Sequence, residues 1–129
     1  MRLEHIAIWV GDLERMKRFY ESYFGAVAGP KYTNARKGFS SYFLRFDSGA
    51  RLEIMHRPGL VPGPPGTEAE TFGYAHLSLS VGSEAAVDAL AARLEADGYR
   101  RLDGPRQTGD GYYEALILDP EGNRIEITV

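Results

Sequence analysis

The chain says the same thing twice. Glu4-His5-Ile6-Ala7-Ile8-Trp9-Val10-Gly11-Asp12 is echoed by Ala75-His76-Leu77-Ser78-Leu79-Ser80-Val81-Gly82-Ser83. Asp47-Ser48-Gly49-Ala50-Arg51-Leu52-Glu53-Ile54 is likewise echoed by Asp119-Pro120-Glu121-Gly122-Asn123-Arg124-Ile125-Glu126-Ile127. A duplication constrains the fold more than any compositional figure, because both copies must build the same elements and bury equivalent faces. Each copy also places one His early and one Glu late, at nearly equal offsets. The repeat therefore carries a His/Glu, His/Glu quartet: His5, Glu53, His76 and Glu126.

With 129 residues the chain suits one compact domain, long enough to bury a core without staples. It contains no Cys, which removes disulfides, thiolate metal sites and cysteine nucleophiles together and fits a reducing compartment. The N-terminal residues lack the apolar core of a signal peptide, and no apolar run approaches a membrane span. The expected location is cytoplasmic. A net charge of −3 with scattered Lys and Arg gives no basic stripe, so neither nucleic acid nor membrane is an expected partner.

Residues 3–10 alternate in polarity and predict a strand. Asp12 is placed to cap a helix whose stripe is Leu13, Met16, Phe19, Tyr20, Tyr23 and Phe24, with Gly25 as its left-handed stop. A short strand is expected over 26–29 and a longer one over 39–46, and Ser48-Gly49 turns the chain into a strand over 51–56. The second copy predicts a strand over 74–81, a Ser83-capped helix burying Val87, Leu90, Ala91 and Leu94, and Gly98 as its stop. Strands over 100–102, 112–118 and 124–129 follow. The expected fold is α+β: a single domain, 1–129, of two tandem βαβββ modules (1–57 and 73–129). A Pro/Gly-rich linker, 58–72, joins them. Side by side, two such modules curl their sheets into a trough with the helices outside.

Strand parity assigns faces. His5, Ala7 and Trp9 oppose Ile6, Ile8 and Val10, and His76 and Ser78 oppose Leu77 and Leu79. Glu53, Met55 and Arg57 oppose Leu52 and Ile54, and Glu126 opposes Ile125 and Ile127. All four quartet members fall on the side away from the helices, and in a trough they converge on its floor. Singly, each reads as a solvated residue on an open sheet face. As a duplicated set they read as metal ligands. Imidazole and carboxylate suit Zn, Ni, Co, Mn or Fe(II), and two of each leave room on a six-coordinate ion for a chelating substrate. His56 lies on the opposite face, has no counterpart in the other copy, and reads as a packing or surface His.

These segments, with Phe19-Tyr20, Phe24-Gly25, Tyr74-Ala75-His76-Leu77 and Asp119-Pro120-Glu121-Gly122-Asn123, resemble the vicinal oxygen chelate superfamily. It is also called the glyoxalase, bleomycin-resistance and extradiol-dioxygenase superfamily. The resemblance runs over essentially the whole chain, but its motifs specify the superfamily and not the reaction. Among members it is closest to those like glyoxalase I, whose four ligand places are filled here by His5, Glu53, His76 and Glu126. The resemblance implies one divalent metal ion per site (Ni, Co, Zn or Mn) and a small-molecule substrate with adjacent oxygens. It also implies a homodimer, since paired modules in this family commonly complete sites across a two-fold interface. The implied reaction is that of a metal-dependent lyase or isomerase, in which Glu126 or Glu53 removes the proton beside a carbonyl through a metal-stabilised enediolate.

One departure stands out. Glutathione-dependent members usually carry an Arg four residues after the first ligand and an Asn four after the second. Trp9 and Arg57 occupy those places, which argues against glutathione and makes both candidate substrate-binding residues, together with Tyr74 and Tyr112. Two other readings stay open at this point. One is a sequestering resistance or binding protein for an aromatic or cationic small molecule, with Trp9, Tyr74, Tyr112 and Tyr113 lining the groove. The other is an Fe(II) extradiol dioxygenase, although such enzymes typically use two His and one Glu. The loop Gln107-Thr108-Gly109-Asp110-Gly111-Tyr112-Tyr113 reads as a ligand-approaching segment or a plain hairpin turn.

Overall fold

A computed structural model describes residues 1–61 and 72–129 of the chain. Residues 62–71, most of the expected linker, lie outside the described residues. The chain divides into two compact units, Met1–Gly63 and Pro64–Val129. Each is a sheet with one helix, so the fold is α+β.

In the first unit the order is β1 (His5–Trp9), α1 (Leu13–Phe24), β2 (Val27–Ala28), β3 (Tyr32–Asn34), β4 (Phe39–Arg45) and β5 (Arg51–His56). The Asp12 carboxylate accepts from the Arg15 N–H and caps α1, and Gly25, at φ +63°, ends it in the left-handed conformation. The helix buries Leu13, Met16, Phe19 and Tyr20. Tyr23 and Phe24 are half-buried and stack on Phe19 with ring centroids 5.2 and 5.8 Å away. The sheet runs β1-β5-β4-β2, with β3 also paired to β4. Strand β3 was not expected: three residues are too few to show a period, and only the ladder of Tyr32–Asn34 against Phe39–Ser41 defines it.

The second unit runs β6 (Leu77–Ser80), α2 (Glu84–Ala96), β7 (Arg101–Gln107), β8 (Tyr113–Leu118) and β9 (Arg124–Thr128), in the sheet order β6-β9-β8-β7. Ser83 accepts from the Ala86 N–H and caps α2. At its other end Gly98 and Tyr99 return their N–H groups to the Glu95 and Leu94 carbonyls, a Schellman stop. Val87, Ala91 and Leu94 are buried, and Leu90 is half-buried.

Two strands differ from expectation by more than two residues at one end. The strand expected over 74–81 begins only at Leu77, where the ladder to Ile125 starts, so Tyr74 precedes it. The strand expected over 100–102 continues to Gln107. Its register against β8 shifts twice, and Gly104, at φ +70°, passes so close to the Glu114 carbonyl that a Cβ there would sit 2.3 Å from it. Only glycine allows that approach, which is how the strand survives its own irregularity.

One pairing in each unit governs the site. The first and last strands of each copy are neighbours and parallel: β1 runs beside β5, with Ala7 opposite Glu53, and β6 beside β9, with Ser78 opposite Glu126. The early His and late Glu of each copy therefore end up side by side, His5 on β1 beside β5 and His76 at the entry to β6 beside β9. Leu52, Ile54, Ile125 and Ile127 are fully buried, and the alternate positions, Glu53 and Glu126, occupy the opposite face of their strands.

Candidate functional site

In the first unit His5 Nε2 lies 4.0 Å from Glu53 Oε2. The imidazole is braced from behind, its Nδ1 standing 2.5 Å from Glu4 Oε2. Because a carboxylate only accepts, this contact puts the ring proton on Nδ1 and turns the Nε2 lone pair toward Glu53. Glu4 also takes a hydrogen bond from Arg51. Its contacts with His5 first, and then Arg51, hold its carboxyl below the usual range. The Arg51 guanidinium lies 4.1 Å from the centroid of Phe43, and Phe43 meets His5 edge-on at 5.3 Å.

In the second unit His76 Nε2 lies 3.3 Å from Glu126 Oε2. Here the brace is on the carboxylate: Ser78 Oγ donates to Glu126 Oε1 at 2.7 Å. A further carboxyl, Glu114 on β8, interacts with Glu126. Burial, and then the Glu126 charge, push Glu114 above the usual carboxylate range. The Asp119 turn supports β9 from its start. Asp119 is buried; its Oδ1 accepts from the Glu121 and Asn123 backbone N–H groups, and its Oδ2 from the Asn123 side chain.

The donor chemistry can be tested against a divalent ion. Nitrogen and oxygen ligands at about 2.1 Å from a shared ion lie roughly 3.0–3.4 Å apart in octahedral or tetrahedral arrangements. The His76–Glu126 separation falls in that range, and the His5–Glu53 separation needs one small side-chain rotation. Each pair has the chemistry to supply two ligands to a divalent ion. Among the described residues, no group of three or more His, Cys, Asp or Glu side chains is placed to hold a metal ion.

The other expected residues are distributed unevenly. Trp9, 47% exposed, shares the open face with His5, and the Arg57 guanidinium rests 5.2 Å from its ring centroid. Tyr74 is 98% exposed and Tyr112 56% exposed. Tyr112 closes a hairpin turn in which the Thr108 N–H donates to the Tyr112 carbonyl, the Tyr112 N–H donates to Thr108 Oγ1, and that hydroxyl donates to Asp110. The 107–113 loop is thus a self-satisfied turn. His56 donates from Nδ1 to the Val10 carbonyl at 2.9 Å, a packing role.

Sequence reasoning passed over Glu4, Ser78 and Glu114. Ser78 and Glu4 stand beside quartet members in the repeat, but Ala7 and Ala75 occupy the equivalent places in the other copy, so no pattern marks them. Glu114 did leave a signal, a lone charge opening the otherwise apolar run Ala115-Leu116-Ile117-Leu118.

The family model described as the glyoxalase/bleomycin resistance protein/dioxygenase superfamily matches residues 2–127. The chain is 31% identical to the uncharacterized protein PA2024 of Pseudomonas aeruginosa, covering 98% of this chain and 86% of that one. It is 27% identical to the lactoylglutathione lyase of Haemophilus influenzae, covering 98% and 90%. Glyoxalase I of Zea mays superposes with a TM-score of 0.79 at 24% identity. That match covers 98% of this chain but only 44% of the maize chain, so the likeness is one of fold. No described helix is long and apolar enough to cross a membrane. With a matched family model spanning nearly its full length, the chain belongs to the glyoxalase/bleomycin resistance protein/dioxygenase superfamily.

Proposed function

We propose that this protein is a metal-dependent lyase or isomerase of the glyoxalase type, acting on a small substrate with two adjacent oxygens. The observation that carries the reading is the repeated pair: each unit independently sets an imidazole nitrogen within 4.0 or 3.3 Å of a carboxylate oxygen. Superfamily members typically bind a divalent metal, and His5, Glu53, His76 and Glu126 are the four side chains that would hold it. When bound, the ion supplies Lewis-acid stabilisation of the oxyanion that develops as a proton leaves the adjacent carbon.

The chain's own residues do the rest. Glu126 is the proposed base, taking the proton beside the carbonyl and returning it to the neighbouring carbon. Ser78 keeps that carboxylate aimed, and Glu53 is the alternative base. Glu4 fixes the His5 tautomer, so that its Nε2 keeps a lone pair free to ligate. Trp9 and Arg57 replace the usual glutathione anchors, so the preferred thiol adduct or carbonyl compound is not a glutathione conjugate. Tyr74 and Tyr112 are proposed to reach the substrate from their exposed positions. A homodimer working in the cytoplasm is the proposed setting.

Metal content and turnover test this directly. Loading with Ni, Co, Zn or Mn is expected to give one ion per chain, with loss on His76→Ala or His5→Ala. Turnover of hemithioacetals from a panel of thiols is expected to stop on chelation. Protein that takes up none of the four metals ends the proposal.

A sequestering protein is the second reading, favoured by the exposed Trp9 and Tyr32 on one face. Ligand binding that persists in chelator, with no turnover on any hemithioacetal, would favour it. Oxygen consumption with a catechol and Fe(II) would instead favour a dioxygenase.

A further inference from the structure

Beyond the quartet, the first unit carries a built aromatic and cationic wall. Trp9 is opposite Met55, Met55 opposite Ser41, and Ser41 opposite Tyr32, so one row of side chains crosses β1, β5, β4 and β3 on the open face. Phe39 fills the space between the two large rings. Its centroid lies 6.1 Å from Trp9, edge-on, and 6.0 Å from Tyr32. Yet Trp9 remains 47% and Tyr32 55% exposed. The Arg57 guanidinium lies against Trp9, and among the described residues no carboxylate pairs with it.

We infer that Trp9, Phe39, Tyr32 and Arg57 form a specificity subsite for a planar, anionic group, the aryl carboxylate portion of a substrate or ligand. This deepens the proposed function and rests on it for the link to turnover. The chemistry selects that class in three steps. A guanidinium held over an indole keeps its fork of N–H donors free for bidentate pairing with a carboxylate. The half-exposed Trp9 and exposed Tyr32 still offer ring surface against which a planar group can pack. The same cation repels a cationic aromatic, which the rings alone would accept. A small aliphatic acid would satisfy Arg57 but leave the rings in water.

Trp9 is the only tryptophan in the chain, so intrinsic fluorescence reports on this wall alone. The experiment uses metal-free protein in chelator, titrated with mandelate, benzoate, lactate and benzylammonium. Mandelate and benzoate are expected to quench Trp9 saturably and to bind about tenfold or more tighter than lactate or benzylammonium. Arg57→Gln is expected to weaken mandelate roughly ten- to a hundredfold, and Arg57→Lys to restore part of the loss. Since Arg57 is exposed, neither substitution disturbs the core.

Equal quenching by benzylammonium, or an Arg57→Gln variant that binds mandelate unchanged, overturns the inference. So does quenching that follows protein concentration alone, which would mean that a second copy covers the wall. Mandelate binding in protein that takes up no metal would sink the lyase reading and leave the subsite standing. Metal uptake with no response to mandelate would do the reverse.

Discussion

The two halves hold the same His–Glu pair and brace opposite members of it. In the first, Glu4 steadies the imidazole of His5, and the place beside Glu53 is held by Ala7, which has no hydroxyl to offer. In the second, the place of Glu4 is held by Ala75, and Ser78 steadies the carboxylate of Glu126 instead. The flanks diverge in the same sense. The row beyond Glu53 is Trp9, Met55, Ser41 and Tyr32, while the row beyond Glu126 carries Ser80, Thr128 and Glu114. One open face carries an aromatic wall with a cation and the other a polar row with a carboxyl. Under the proposed function, recognition falls to the first half and proton transfer to the second.

The strongest way to break that assignment is to remove each carboxylate in turn. Glu126→Gln is expected to lower kcat about 10²- to 10⁴-fold, the usual cost of losing a positioned base, while its amide oxygen still permits metal retention. Glu53→Gln is expected to act mainly on metal retention, with a smaller loss in kcat once metal is saturating. Steady-state kinetics on the best hemithioacetal of the thiol panel, with metal content measured in parallel, decides it. If the two variants exchange these signatures, the division of labour is reversed. Ser78→Ala sharpens the point: it is expected to reduce kcat with bound metal unchanged.

Structurally the halves are expected to be equals, whatever their chemistry. Ile54 and Ile127 occupy equivalent places on β5 and β9, each fully buried on the face opposite the quartet. Truncating either to Ala removes buried apolar volume and leaves a cavity, at a cost of about 2–5 kcal/mol each. Urea denaturation of the two variants measures this. A cost in one half that is under half the cost in the other would show that only one sheet carries the stability of the fold.

Much of this was legible in the residues because it rests on parity and periodicity. The open and buried faces of β1 and β5 follow from alternation, and the caps Asp12 and Ser83 and the stops Gly25 and Gly98 follow from backbone chemistry. The adjacency of His5 with Glu53, and of His76 with Glu126, follows once the first and last strands of each copy are neighbours. What the sequence concealed depends on contacts between distant segments. Strand β3 exists only because β4 offers an edge, and the length of β7 depends on the Glu114 carbonyl lying close to Gly104. The braces escaped notice because they break the symmetry by which the quartet was found. A reading built on what two copies share is blind to what either has alone.

The smallest test concerns how each helix is tied to its sheet. Tyr42 on β4 donates to Glu14 on α1 at 3.0 Å, and Tyr113 on β8 donates to Asp88 on α2 at 2.7 Å. Among the described residues only the first tie gains a cation, as Lys31 also donates to Glu14 at 2.9 Å. Lys31 first and then Tyr42 hold the Glu14 carboxyl below its ordinary range. A carboxylate whose folded pKa is depressed binds fewer protons folded than unfolded. Its contribution is therefore present above the ordinary carboxylate range and lost as pH falls through it. Glu14→Gln is expected to lower stability slightly at neutral pH, with the difference from the parent vanishing in acid; solvent screening at this exposed site keeps the effect small. Both tyrosines are pushed upward, Tyr42 chiefly by burial and then by Glu14, Tyr113 by its bond to Asp88. For them the sign is opposite: the contribution is present below the ordinary phenol range and lost as pH rises through the raised value. Tyr42→Phe and Tyr113→Phe should therefore approach parental stability in alkali, in both halves alike. Thermal melts across pH read both arms, and a Glu14→Gln deficit that does not shrink in acid would remove the acid arm from the first half.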